Sequence, residues 1–178
     1  MSEAHRPSPP LARAEAIPPD HPVRDVFFFG TLADREVLER LLGHPVPAAR
    51  LRPARLPGFR VVRARGTPYP VLVTDPAAAA QGVLLTDAAA EDIRRIDFYE
   101  CDEYRAELRE VEAGGRRRPA WVFVHREEVL DPDDVPWDPR AWARTHKARL
   151  LAEIDAWLEE YRAERAALER REKGEAKG

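Results

Sequence analysis

Hydrophobic and polar positions along the chain change period several times, and each change marks an element. Residues 26–29 are continuously apolar, the pattern of a short strand covered on both faces. The run stops at Gly30-Thr31-Leu32 and gives way to helical spacing. Val37, Leu38, Leu41 and Leu42 form one stripe, with Asp34 placed to cap the helix and Gly43 to end it. Strand-like runs follow at 51–56, at 59–63 after a Pro57-Gly58 turn, at 71–74 after Pro70, and at 81–86 after the alanines of 77–80. Asp87 is placed to cap a second helix that runs to about Phe98, with Ile93 and Ile96 facing inward. Strands near 105–112 and 117–125 flank Ala113-Gly114-Gly115, a hairpin signal. A long helix is expected from Asp138, with Pro139 in its first turn. Its Leu150, Ile154, Trp157, Leu158 and Tyr161 recur at helical spacing, and a charged, solvated extension that frays is expected beyond.

The tally is about six strands and three helices, with mostly short links between strands. It predicts an α+β chain: a mostly antiparallel sheet or small barrel flanked by helices. No internal repeat is visible. Residues 1–24 carry prolines at 7, 9, 10, 18, 19 and 22 with no apolar period, so they read as a disordered or extended lead-in. Three regions result: the tail at 1–24, a barrel domain at 25–130, and a C-terminal helix with a charged tail at 131–178.

Composition sharpens this only at the edges. The 178 residues are 44% hydrophobic, enough for one domain with its own core. A net charge of −3 gives no global attraction for nucleic acid. Basic charge is almost all arginine, the lysines being Lys147, Lys173 and Lys177. The single cysteine, Cys101, excludes an intramolecular disulfide and a multi-cysteine zinc site. No apolar stretch has the length of a membrane span, and the N-terminus lacks the basic-then-apolar pattern of a secretory signal. A cytoplasmic location is the expectation.

Two segments carry candidate chemistry. A strand that ends at Gly30 and turns into a helix exposes backbone N–H groups in one place, which suits an anion. The plain alternative is a tight turn. It is not a nucleotide P-loop, since no Gly-Lys-Ser/Thr follows. Glu100 follows Ile96 by four residues and so falls on the inward face of the second helix. Desolvated there, its pKa would rise into the range of a general base; exposed, it would pair with an arginine. Cys101 adjoins Glu100, but nothing in the sequence links His44 or His125 to it as a partner, and a small core residue is the simpler reading. The histidines show no metal spacing. Arg116-Arg117-Arg118 reads as a solvated turn, and Trp121 and Phe123 as core.

The order of these and further motifs carries a resemblance. Phe27-Phe28-Phe29-Gly30-Thr31-Leu32 is followed by Leu41-Leu42-Gly43, by Ala54-Arg55-Leu56-Pro57-Gly58-Phe59 and by Tyr69-Pro70. Gln81-Gly82-Val83-Leu84, Ile96-Asp97-Phe98-Tyr99-Glu100 and Tyr104-Arg105 complete the series. The chain resembles the gamma-glutamylcyclotransferase superfamily, nearest its avirulence-induced-gene-like branch, over roughly residues 25–130 and again at 137–151. The resemblance implies a small antiparallel barrel with flanking helices. It implies that Phe29, Gly30, Thr31 and Leu32 bind a substrate α-carboxylate through backbone N–H groups, and that Glu100 is the acid-base residue. Tyr69 and Tyr104 are expected in the cavity. The implied reaction is acyl transfer on a small gamma-glutamyl amide, giving 5-oxoproline and an amine, with no metal, cofactor, nucleic acid or membrane. Two departures stand out: Phe29 where the family usually has tyrosine, and Cys101 where glycine often follows the glutamate. They leave open a catalytically silent binding module of the same fold. A hydrolase using Cys101 is a third reading. The leaving amine and the oligomeric state stay open.

Overall fold

The computed structural model describes residues 16–175. The elements in chain order are strand β1 (Val26–Phe28), helix α1 (Arg35–Leu42), strands β2 (Leu51–Ala64) and β3 (Pro70–Leu85), and helix α2 (Ala90–Glu100). Strands β4 (Tyr104–Ala113), β5 (Arg116–His125) and β6 (Pro132–Pro136) then lead to helix α3 (Pro139–Glu175). Five strands run in the order β3-β1-β5-β4-β2, and β2 pairs back onto β3 to close a barrel, with β6 added at β2. Every pairing is antiparallel except β1 with β5. This is the expected α+β barrel with a long C-terminal helix.

The continuous apolar run of β1 is explained by its two faces. Phe27 and Phe29 point into the barrel with Ala54, Leu56, Leu84, Val111 and Val122. Val26 and Phe28 point out, under the helices, with Leu38, Ile96, Tyr99, Trp121 and Ile154. Alternation along a strand sends neighbours to opposite sides, and here both sides are dry.

Several expectations are corrected. The runs at 51–56 and 59–63, and at 71–74 and 81–86, are halves of two long strands. Pro57-Gly58 is a bulge rather than a chain reversal: the register against β3 shifts between Pro57 and Phe59, and Gly58 has φ of 83°. A bulge lets a long strand bend while keeping its partner. The prolines are tolerated because β2 meets its other neighbours only at Ala54–Arg55 and at 62–64, so much of one edge needs no donor. Strand β6, unanticipated in its proline-rich sequence, sits where proline is allowed, paired on one side only. Asp87 does not cap α2. The cap position is Ala89, without a side-chain bond; Asp87 has φ of 51°, and its N–H donates to Asp25 Oδ1 at 2.9 Å.

Packing also begins before Asp25. Ile17 is buried in the core, its N–H directed at Asp97 Oδ1 (3.4 Å), and Trp121 Nε1 donates to Val23 O at 3.0 Å. The rest of the proline-rich lead-in, residues 1–15, lies outside the described residues. At the other end, Asp138 caps α3 as expected, accepting from the N–H groups of Arg140 and Ala141 at 2.8 and 3.1 Å. The helix continues through the charged segment to Glu175. Among the described residues, no helix is long and apolar enough to cross a membrane.

Candidate active site

Strand β1 ends one residue before Phe29, and the chain then turns sharply. Gly30 has φ of −121°, so its backbone does not require glycine. Space does: a Cβ there would stand 2.4 Å from Pro70 Cγ at the start of β3. A short 3₁₀ turn, Thr31–Ala33, follows. Its bonds run from Ala33 N–H to Gly30 O (3.0 Å) and from Asp34 N–H to Thr31 O (3.1 Å). The N–H groups of Thr31 and Leu32 precede these bonds and have no acceptor within the turn. The strand thus does not feed α1 directly. Asp34 closes α1 by accepting from Glu36 and Val37 N–H at 3.0 and 3.3 Å, so the helix uses its own N-terminal donors. Any anion cradle at Gly30 belongs to the 3₁₀ turn, not to the dipole of α1.

Glu100 is the last residue of α2 and is half-buried. Helix and turn end in one crevice, lined by Phe27, Phe28, Phe29, Gly30, Thr31, Leu32, Tyr69, Pro70, Tyr99, Glu100, Tyr104 and Phe123. All seven residues singled out by sequence (Phe29, Gly30, Thr31, Leu32, Tyr69, Glu100 and Tyr104) therefore line the same space. Sequence reasoning gave no site role to Tyr99 or Pro70 and read Phe123 as core. Tyr99 stood inside the quoted motif, beside Glu100. Its hydroxyl and Thr31 Oγ1 are 2.7 Å apart in a buried hydrogen bond that ties α2 to the turn. Its ring meets Trp157 of α3 edge-on, with centroids 6.3 Å apart. Tyr104 OH donates to Pro70 O at 3.0 Å, bracing the residue that fills the space over Gly30.

Burial sets the electrostatics of the walls. Desolvation pushes Tyr99 well above the usual tyrosine range, offset in part by the Thr31 hydrogen bond, and the Glu100 charge adds to the rise. Tyr104 is raised in the same way, by desolvation first and Glu100 next. Both phenols remain protonated at any ordinary pH. The crevice is narrow: about 30 Å³ lies far enough from the walls to seat the centre of a water molecule.

Cys101 and the histidines lie elsewhere. Cys101 is buried, closes α2 through its N–H to Asp97 O, and has φ of 46° and ψ of −158°. Neither Cys101 nor any histidine lines the crevice. Among the described residues, no three His, Cys, Asp or Glu side chains form a group that could hold a metal ion.

Comparison with known proteins gives a consistent picture. A family model described as gamma-glutamyl cyclotransferase, AIG2-like, matches residues 26–144. AIG2-like protein A of Arabidopsis thaliana is 24% identical over 134 residues, covering 72% of this chain and 78% of its own. AIG2-like protein B of the same plant is 23% identical over 145 residues, covering 79% and 81%. Two solution structures of Arabidopsis thaliana proteins share the fold, with TM-scores of 0.55 and 0.54 at 20% and 19% identity. They cover 76% and 81% of this chain and 90% and 87% of their own.

Proposed function

The chain belongs to the gamma-glutamyl cyclotransferase, AIG2-like family, and we propose that its crevice cyclises a gamma-glutamyl amide to 5-oxoproline with release of an amine. The observation that carries this reading is the convergence of one carboxylate, Glu100, and one glycine turn, Gly30-Thr31-Leu32, on a single space. In this reaction the substrate's own α-amine attacks its γ-carbonyl carbon. A five-membered ring forms, the original amide C–N bond breaks, and the leaving nitrogen gains a proton. The nucleophile is already tethered, so holding the substrate folded supplies much of the acceleration, about 7–11 kcal/mol in favourable intramolecular cases. Glu100 takes the proton that the ammonium must lose and returns it to the leaving nitrogen, a contribution of roughly 10²–10⁴-fold. The Thr31 and Leu32 N–H groups hold the α-carboxylate or the developing oxyanion. Tyr69 and Tyr104 wall the ring, and Tyr104 acts as a neutral donor to Pro70. The reaction needs no metal or organic cofactor.

A second reading is a binding module without turnover. It is favoured by Phe29, which offers no hydroxyl where the resembled family usually has tyrosine. The Cys101 hydrolase has less support, because the thiol lies outside the lining. One experiment separates the three. The protein is incubated with a panel of gamma-glutamyl amides and 5-oxoproline is measured. Product that disappears in a folded Glu100→Gln variant and persists in Cys101→Ala supports the cyclase. Binding of the amides without any product supports the silent module, activity lost only in Cys101→Ala favours the hydrolase, and full activity of Glu100→Gln rules out the mechanism.

A further inference from the structure

The inward face of a closed barrel continues past its packed interior to its mouths. Phe27, Ala54, Val111, Ala120 and Val122 belong to that interior. Residues two apart on a strand share a face, and directly paired residues share it across strands. The next inward positions at one end are Asp25 before Phe27, Arg52 before Ala54, Ala113 after Val111, and Arg118 then Arg116 before Ala120. The ladder agrees, pairing Val111 with Arg118, Ala113 with Arg116 and Ala54 with Ala113. These side chains surround a cup of about 710 Å³, which Arg24 and Arg117 also line.

The cup gathers arginines 24, 52, 116, 117 and 118 around one carboxylate, Asp25, in a chain whose net charge is −3. Arg118 pairs with Asp25, Arg117 with Glu112 outside the cup, and Arg24 Nε donates to Ala88 O. Arg52 and Arg116 are exposed and make no ion pair among the described residues. Read in sequence, 116–118 is a solvated turn; the barrel instead brings it together with Arg24 and Arg52. No residue lines both the cup and the crevice, which lie at opposite ends of β1.

Planar guanidinium groups bind phosphate oxygens in pairs, and barrel mouths of this size are common ligand sites. No aromatic side chain lines the cup, so nothing there stacks on a base, and recognition falls to charge and oxygen geometry. We propose that this mouth binds a small molecule carrying two or more phosphate groups, at a site separate from the crevice.

Titration calorimetry of the full chain with inorganic triphosphate, in about 150 mM salt, tests this. Saturable binding is expected. Arg52→Ser combined with Arg116→Ser is expected to weaken it at least about tenfold, as loss of charge-assisted hydrogen bonds should. Asp25→Asn is expected to tighten it, since it removes the opposing charge and frees Arg118 while still accepting from Asp87 N–H. Glu100→Gln should bind as the parent does. The proposal is overturned by absence of saturable binding or by a double variant that binds like the parent. It is also overturned by a single-stranded oligonucleotide that outcompetes triphosphate, which would make the mouth a nucleic-acid contact.

Discussion

A methyl group at Gly30 would press on Pro70 Cγ at 2.4 Å, well inside van der Waals contact. Gly30→Ala must therefore push the start of β3 away from the crevice, at a cost of about 1–3 kcal/mol for forced overpacking. Thermal midpoint and 5-oxoproline formation are expected to fall together; an unchanged midpoint would mean that Pro70 yields freely. Gly82→Ala should be worse, because its Cβ would meet backbone, Phe28 O at 2.1 Å, which has nowhere to go. Cys101 presents the opposite case. Its φ of 46° and ψ of −158° lie where a side chain is strained, by on the order of 1–3 kcal/mol. Cys101→Gly is expected to gain stability in urea unfolding, offset in part by the freer unfolded chain. A loss there would mean that thiol packing outweighs the strain. The types of Gly30 and Glu100 and the local pattern around them were readable in sequence. The contact with Pro70 was not, because it crosses from one strand to another. The conformation of Cys101 was marked only by the glycine usual at that place in the resembled family.

Among elements, α3 reads most clearly and the strands least. Helical spacing picked Leu150, Ile154, Trp157, Leu158 and Tyr161; four are buried and Trp157 is half-buried. Charged groups also meet α1: Lys147 Nζ lies 2.8 Å from both Asp34 and Glu36, and Arg40 reaches Asp155 at 2.9 Å. The Lys147–Asp34 pair is half-buried and the Arg40–Asp155 pair exposed, so the apolar face should dominate the docking. Ile154→Ala is expected to cost about 2–5 kcal/mol, and Asp155→Ala no more than about 1 kcal/mol, both by urea unfolding. Equal costs would assign the docking to charge. The strands were misjudged because their signal is short-ranged. Prolines and alanines divide β2 and β3 into runs that look separate, and only the ladder shows them continuous from Leu51 against Leu85 to Arg63 against Pro70. Closure of the barrel depends on that length. It was readable as a fold class from strand count and short links, but not as a set of pairings.

Across the whole molecule, two histidines tie stability to pH in opposite senses. His44 has Nδ1 3.0 Å from Pro45 O and Nε2 2.8 Å from Asp92 Oδ1. The carbonyl first and the carboxylate next hold its pKa above 6.5. A raised folded value favours the protonated form in the fold, so this stabilisation is fully present below about 6.5 and is lost as pH rises through the folded pKa. His125 is buried, and neither ring nitrogen has a hydrogen-bond partner. Burial drives its pKa below 6.5. The unfolded chain then takes up a proton that the fold refuses, so stability falls as pH drops from about 6.5 through the folded value. Neither effect was readable in sequence, since Asp92 lies 48 positions from His44 and the burial of His125 depends on barrel closure. Urea midpoints measured between about pH 5 and 8 should fall away on both sides. His44→Gln is expected to flatten the alkaline limb alone. His125→Leu should flatten the acid limb and raise stability throughout, because it removes two unsatisfied polar atoms from the interior. An acid limb that persists above about pH 5 in His125→Leu would remove His125 as its origin; the carboxylates of Glu39, Glu112 and Asp133, held below their ordinary range in the fold, lose their contribution only at pH values below that range.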